Sequence, residues 1–541
     1  MSSLSFVSRT ALFIFGAVMT ASSSLCASTN DDISGMFSAN NIAEVKMFLA
    51  ADPDSYPPYP VFIHSQQIAP YLHASYSEEQ LAAISQVTAD IRRLQLTVHP
   101  WGTFVKATTF VDSQTESETH YNAVWLRDSL WGYLALNSEK AHQKDAKDVL
   151  LTLWDYLSVP AQLERMANVI KDPSLLDDDT GQMKAVHIRF DSDSRVFNDV
   201  TDNGREQPWN HKQNDALGLA LDLIVRSISS GQITRQDWSS GERMRSLVSL
   251  VAYLDRARFD QMPDSGAWEE DARLNTSSIA MVTSGLEALH HLLSDTQSPT
   301  SVSFTADLNR VAQRVGLARH VSLIRLSELI DKGYDRITYQ LTLGGESPDY
   351  QHNDLNYRTA DAALLNLIYP ARLSRLTLDQ KKQILSIVQA LSGSYGIKRY
   401  LNDNYQSANF WFNDIHTDTS EEANSRRRER FIPFTEAQWF FDSWFALASA
   451  LVYQETRDPY LMTQAFQYMN RSLAQITGKG MLGANGRAVP NMALPESYNF
   501  IATSEQLFPA PSPIIPLNWA KASLTLMIEH LRPLTSVHDT H

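Results

Sequence analysis

Cysteine is almost missing from this chain. Of 541 residues, one is a cysteine, Cys26. It falls in the N-terminal stretch MSSLSFVSRTALFIFGAVMTASSSLCAS, which has the build of a secretory leader. Arg9 opens it, an apolar run follows from Thr10 to Ala21, and small residues lead to Ala27. The run is too short to cross a bilayer, which takes roughly 17 to 25 apolar residues. Leu25 stands directly before Cys26, where a lipid-attachment site wants a small residue, so lipidation is discounted. A signal peptide over 1–27 and a secreted or periplasmic destination are expected. Cleavage after Ala27 leaves a mature chain without cysteine, which excludes disulfides, thiol catalysis and thiolate metal sites.

Glycine is scarce too, at 21 residues, below the roughly 7% of ordinary domains. That disfavours an architecture of many tight β-turns and suits helices. Positive charge is in deficit: 46 Lys and Arg face 61 Asp and Glu, for a net charge of −15. Phosphate backbones and anionic lipids repel such a chain, so neither nucleic acid nor a membrane surface is expected as a partner. There is no P-loop, no H-E-x-x-H and no G-x-S-x-G. GKGMLG at 478–483 fits G-x-G-x-x-G in letters, but ANGRAVP follows it and cannot open a helix, so the dinucleotide reading fails. The 15 histidines show no metal-ligand spacing. No cofactor and no metal is expected.

What the chain does have is helical periodicity. SEEQLAAISQVTADIRRL, DAKDVLLTLWDYL, NDALGLALDLIVRSI, GERMRSLVSLVAYLDRARF, TSSIAMVTSGLEALHHLL, LDQKKQILSIVQALS, EAQWFFDSWFALASALVYQ and LNWAKASLTLMIEHL each place apolar residues at i, i+3, i+4 and i+7. Strand-like alternation is short and scattered, as in TFVKATTFVD and MKAVHIRFD. No low-complexity linker divides the chain after residue 75, and no repeat is evident. The reading is a polar, Pro-containing extension over 28–75 and one large all-α domain over 76–541. If its helices pair as inner and outer layers, the inner N-termini and their loops frame one pocket.

Five polar–aromatic clusters interrupt the helical pattern, each at a helix mouth or in a loop. YNAVWLRDSLW carries Tyr121, Trp125, Arg127 and Asp128. QPWNHKQNDALG carries Trp209, Lys212 and Asp215. AWEED carries Trp268, Glu269 and Glu270. KRYLNDNY carries Arg399, Asp403 and Tyr405. LPESYNF carries Glu496, and PLNWAKASL follows with Trp519. One such cluster alone is most simply a helix start, where acids complement the helix dipole. Five together, rich in Trp beside charged hydrogen-bonders, suit a pocket for a flat polar ligand such as a sugar.

These stretches resemble the glucoamylases, family 15 of the glycoside hydrolases. The likeness is nearest to the branch holding the glucoamylase-like region of phosphorylase kinase regulatory subunits and their bacterial relatives. WLRDS, WNHKQND, WEE, RYLNDNY, LPESYN and LNW follow one another in the family's order, over residues 77 to 532. LNW stands where the family usually has LTW. A charged insertion, NDIHTDTSEEANSRRRER, lies after the arginine motif. No starch-binding module and no long regulatory C-terminal region is seen.

The resemblance implies an (α/α)6 barrel of inner and outer helices with the site at one end. It implies an inverting hydrolase that releases β-D-glucose from the non-reducing ends of α-1,4-glucans such as starch and glycogen. In that chemistry one carboxylic acid protonates the leaving oxygen and a second carboxylate activates water. By motif, Glu269 is the acid and Glu496 the base. Trp268 is expected to shape the pocket and keep Glu269 protonated. Glu270 is expected to bind a hydroxyl beyond the scissile bond, and Arg127 and Asp128 to clamp the terminal sugar. Tyr121, Trp125, Trp209, Lys212, Asp215, Arg399, Asp403 and Trp519 complete the expected substrate-binding set. A monomer acting on an α-glucan is expected. Action on α-1,6- or α,α-linked glucosides, or an inactive glucan-binding role, are the alternatives.

Overall fold

The computed structural model describes residues 35–535 apart from 38–39, 41, 49–57, 100–102, 110–118, 120, 122, 178–180, 203, 240, 352–353, 355 and 414–420. The leader expected over 1–27, with Cys26, lies outside the described residues.

In chain order, the hairpin β1 (Glu44–Phe48) and β2 (Tyr59–Ile63) is followed by helix α1 (Glu78–Asp90) and strand β3 (Ala123–Trp125). Then come α2 (Leu126–Ser138), α3 (Gln143–Leu157), α4 (Pro160–Lys171), strand β4 (Arg189–Asp191), α5 (Asn214–Ser229) and α6 (Gly241–Arg256). α7 (Thr276–Ser294), α8 (Pro299–Arg314), α9 (Leu323–Leu343) and α10 (Leu378–Gln389) follow. The last part holds α11 (Glu421–Arg430), β5 (Gln438–Trp439), α12 (Asp442–Thr456), α13 (Pro459–Ala474), β6 (Ser497–Ala502), β7 (Leu507–Pro511) and α14 (Asn518–Thr535).

The packing closes a ring. α2 lies against α5, α5 against α7, and α7 against the 3-10 turn Ala362–Leu367. That turn lies against α12, α12 against α14, and α14 returns to α2. α3, α6, α9, α10, α13 and α1 back this ring from outside. The chain is therefore all-α, with a six-membered inner ring in which one member is a short 3-10 turn rather than a full helix. α5 and α7 are buried nearly throughout because both their faces are covered. Outer helices such as α9 show one apolar stripe and one wet face. Glycine matters where α5 meets α7. A Cβ on Gly218 would lie 2.4 Å from the Val282 nitrogen, and one on Gly285 would lie 2.9 Å from the Gly218 carbonyl oxygen. Only two glycines let those backbones touch.

The extension covers the body. Asn40 Nδ2 donates to the Leu482 carbonyl at 2.8 Å, and the His64 ring stacks on Tyr498 with centroids 5.1 Å apart. TFVKATTFVD forms no named strand among its described residues; Thr108 makes a single bridge to Leu517. Only the end of MKAVHIRFD is a strand, pairing Ala123 with Asp191. Among the described residues no helix is long and apolar enough to cross a membrane.

Candidate active site

The starts of the inner elements gather at one end of the ring. Trp125 is the N-cap of α2, which places Arg127 and Asp128 in its first turn. Gln213 precedes α5, with Asp215 in its first turn. Ahead of α7, a 3-10 turn (Gly266–Trp268) ends on Glu269 in the left-handed region, φ 60°. Gly266 is itself at φ +56°, and a Cβ there would meet Asn275 Nδ2 at 2.7 Å. This strained turn lifts the Glu269 carboxylate out of the helix line and into the ring's mouth.

Glu269 is enclosed by donors. Oε1 accepts from Arg127 Nη2 at 2.7 Å, and Oε2 accepts from the indoles of Trp125 at 3.1 Å and Trp209 at 2.8 Å. Asn210 Nδ2 grips its backbone carbonyl at 2.8 Å. Guanidinium and indole nitrogens can only donate, so every one of these side-chain bonds runs into the Glu269 carboxyl oxygens. Trp268, expected to shape the pocket beside Glu269, gives its indole N–H to a different carboxylate. Its indole turns to Asp361, at 2.9 and 3.1 Å, and its ring packs on Phe441.

Glu496 sits across the mouth, just ahead of β6. Oε1 accepts from the Tyr121 hydroxyl at 2.6 Å and Oε2 from Gln406 Nε2 at 2.6 Å. The Gln406 amide cannot easily turn, because its Oε1 accepts from Ser497 Oγ at 2.8 Å and from Asn499 Nδ2 at 3.2 Å. Burial pushes the Glu496 carboxyl up to about 7, against the lowering effect of the Tyr121 and Gln406 bonds. The rings of Tyr121 and Trp125 pack with centroids 5.2 Å apart, so the partners of the two glutamates form one wall. Asp128, buried and facing both glutamates, is also raised to about 7, chiefly by burial and in spite of Arg127.

Glu270 turns the other way, into a cationic nest. Oε1 accepts from Arg399 Nη2 at 2.6 Å and the Tyr400 hydroxyl at 2.7 Å; Oε2 accepts from Arg358 Nη2 at 3.0 Å. Burial alone would raise this carboxyl, but Arg399, Arg358 and Arg273 hold it well below the usual carboxylate range.

Other expected residues divide. Trp519 lies beneath Arg127, with the guanidinium carbon 5.2 Å from its ring centroid. Asp215 accepts from Arg127 Nη1 at 3.1 Å and so braces it. Asp403 orients Arg399 through two bonds of 2.7 Å and is fully enclosed. Lys212 is not brought to the pocket: its ammonium donates to the Leu176 carbonyl at 3.0 Å. Sequence reasoning missed Arg358, Tyr400, Gln406 and Asp361. All stand in irregular stretches with no periodic frame; the one signal was RYLNDNY, of which Tyr400 is the second residue and which Gln406 directly follows.

Among the described residues, one group of carboxylate and histidine atoms is close enough to share an ion, namely His187, Asp199 and Glu206. Arg165 Nη2 already lies 2.8 Å from Asp199 and 3.7 Å from Glu206, so a cation is in place there.

Fold and site together define an (α/α)6 barrel with paired buried carboxylates at one end. No protein-family model matches the chain. It belongs to the same family as the Escherichia coli K12 protein named "Uncharacterized lipoprotein YgeQ", to which it is 48% identical over 237 residues, 44% of this chain and 90% of that one. It is 29% identical over 214 residues to the Drosophila melanogaster "Probable phosphorylase b kinase regulatory subunit alpha", covering 37% of this chain and 14% of the subunit. Among solved structures it is similar to the "Glucoamylase from Saccharomycopsis fibuligera at atomic resolution", at 14% identity and TM-score 0.47, over 86% of this chain and 97% of that one.

Proposed function

We propose that the chain is an exported, inverting glycoside hydrolase of glucoamylase type, releasing β-D-glucose from the non-reducing ends of α-1,4-glucans, with Glu269 and Glu496 as the working pair. The observation that carries this is the pair itself. Two buried glutamates, one from the middle of the chain and one from its C-terminal part, face one mouth, each with both oxygens fixed by side-chain donors. The surrounding charge suits the chemistry. Glu269, Asp128 and Asp215 gather around Arg127, with Glu496 across the mouth, and this excess of carboxylates favours the positive charge that grows on a sugar ring during glycoside cleavage. The order of the six motifs supports the α-glucan assignment, and the printed name of the YgeQ lipoprotein supports export.

In this reading Glu269 is the acid and Glu496 the base. Arg127 must then leave Glu269 as substrate enters, exchanging the carboxylate for sugar hydroxyls, and Glu269 takes up its proton only in the loaded site. A second reading exchanges the roles; it is favoured by the obligate donors on Glu269 and by the raised Glu496 carboxyl. Leaving-group dependence decides between them. The acid's Gln variant keeps far more activity on an activated aryl α-glucoside than on maltotriose, whereas the base's variant loses both alike. Proton NMR of fresh maltotriose digests tests the whole proposal: β-glucose should appear first. The α-anomer as first product, or no glucose at all, sinks it.

A further inference from the structure

The part of the charged insertion that the structure describes, α11, is tied to the site. In α11, Asn424 Oδ1 accepts from Asn404 Nδ2 at 2.8 Å, and Asn424 Nδ2 donates to Asp271 Oδ2 at 2.9 Å. Arg427 is buried at 5% exposure and donates to Asn404 Oδ1 at 3.3 Å. Asp271 directly follows Glu270, and Asn404 lies between Asp403 and the Gln406 that holds Glu496. One side chain of the insertion therefore joins the loop that carries Glu269 to the loop that fixes Glu496.

The chain after α11 returns along the same rim. Thr435 Oγ1 accepts from the Ala408 nitrogen at 3.2 Å, and Glu436 accepts from the Asn402 nitrogen at 3.0 Å and from Lys398 at 3.0 Å. Two large apolar side chains stand out here. Phe434 is 80% exposed and Leu401 is 52% exposed. Phe434 holds a left-handed backbone, φ 68°, as does Asn402 beside Leu401, φ 62°. A bulky residue such as Phe434 adopts that conformation only under constraint from its surroundings. A strained turn that presents a phenyl ring to water, beside a buried polar site, is a feature that packing of the fold alone does not need.

We propose that α11 and its return loop form the leaving-group subsite. Asp271, held by Asn424, takes a hydroxyl of the sugar being released, while Phe434 and Leu401 offer its apolar face a platform. The inference rests on the glycosidase reading and deepens it: the insertion selects substrates whose leaving group is itself a saccharide. Its position decides this. The terminal sugar occupies the enclosed space between Glu269 and Glu496, and whatever is attached to it leaves past the rim that Asp271, Asn424 and the return loop build.

The test uses the full chain with Phe434→Ala and Asn424→Ala, on maltopentaose and on an aryl α-glucoside. Phe434→Ala should raise KM for maltopentaose about three- to tenfold, the range of one aromatic contact, and leave the aryl glucoside within twofold. Asn424→Ala should raise KM for maltopentaose by a larger factor than KM for the aryl glucoside; because Asn424 also ties the Glu269 loop to the Glu496 loop, kcat should fall on both substrates, and the subsite is read from KM alone. Because Phe434 is exposed, its variant keeps the wild-type melting temperature. Equal KM changes on both substrates, or no change on maltopentaose, overturn the inference. If the wild type turns over neither substrate, the glycosidase reading itself has failed. Calorimetric binding of maltopentaose then reads the subsite alone, and equal affinity in wild type and Phe434→Ala overturns it.

Discussion

Replacing Glu496 by Gln should stabilise the protein while abolishing its activity. Glu496 is 5% exposed, and burial lifts its carboxyl from 4.5 to about 7. A carboxyl whose folded value lies above its unfolded one favours folding fully below the unfolded value. It loses that contribution as pH rises through the folded value. The window here runs from about 4.5 to 7. A shift of roughly 2.5 units at 1.36 kcal/mol per unit gives about 3 kcal/mol by pH 8. The amide is never charged and escapes that penalty. Its carbonyl can keep the Gln406 bond, and the Tyr121 hydroxyl can turn to accept from its NH2. Imperfect geometry in that exchange reduces the net gain to about 1–2 kcal/mol. In a chain this long that is a rise of about 1–3 °C. Thermal unfolding of both proteins at pH 5 and pH 8 reads it directly: the variant melts higher at pH 8, and the gap closes at pH 5. Turnover should fall at least about a hundredfold. From the motif alone one expects activity to fall with the melting temperature unmoved. A gap that is the same at both pH values, or a variant that melts lower at pH 8, refutes the reasoning.

Arg127→Ala and Asp128→Ala should each leave a folded protein with turnover lowered about ten- to a hundredfold, the effect of losing one charged hydrogen bond; circular dichroism showing an unfolded variant would reassign the pair to structure. If Glu496 is the base, kcat/KM rises as pH climbs through about 7. Gln406→Met removes a donor to the ionised form, so this limb should move to higher pH by about one to two units, and an unmoved limb rules that role out. N-terminal sequencing of material from outside the cytoplasm should begin near Ser28, and an intact Met1 on cytoplasmic protein would end the export reading.

The periodic parts of the sequence announced themselves. Helix patterns from 77 to 531 coincide with α1, α3, α5, α6, α7, α10, α12 and α14 to within a few residues, because each buries a continuous apolar stripe. The turn Ala362–Leu367 did not, since six buried residues with no amphipathic repeat look like any short apolar run. In the site, residues followed by a helix were legible: Arg127, Asp128 and Trp519 stand in first turns, where position implies direction. Gln406 and Arg358 were not, because their side chains are aimed by partners more than 85 residues away in the chain. Lys212 misled for the same reason. It stands one turn from Asp215 in sequence, yet the backbone ahead of α5 points it back to Leu176.

The bond between Tyr121 and Glu496 spans 375 residues of chain. It forms beside the seam where α14 returns to α2, and nearby Asn518 reaches back to the Lys106 carbonyl across 412 residues. Such contacts come late in folding, after the intervening loop entropy has been overcome. The competent site is therefore a closure event rather than a local structure. A nascent chain carries Glu269 and its donors long before it has a second glutamate to set against them, and the carboxylate pair proposed as the working site is complete only when the first and last inner helices meet. Turnover would then report on completion of the ring, and the yield of active molecules after dilution from denaturant should lag behind the recovery of helical signal.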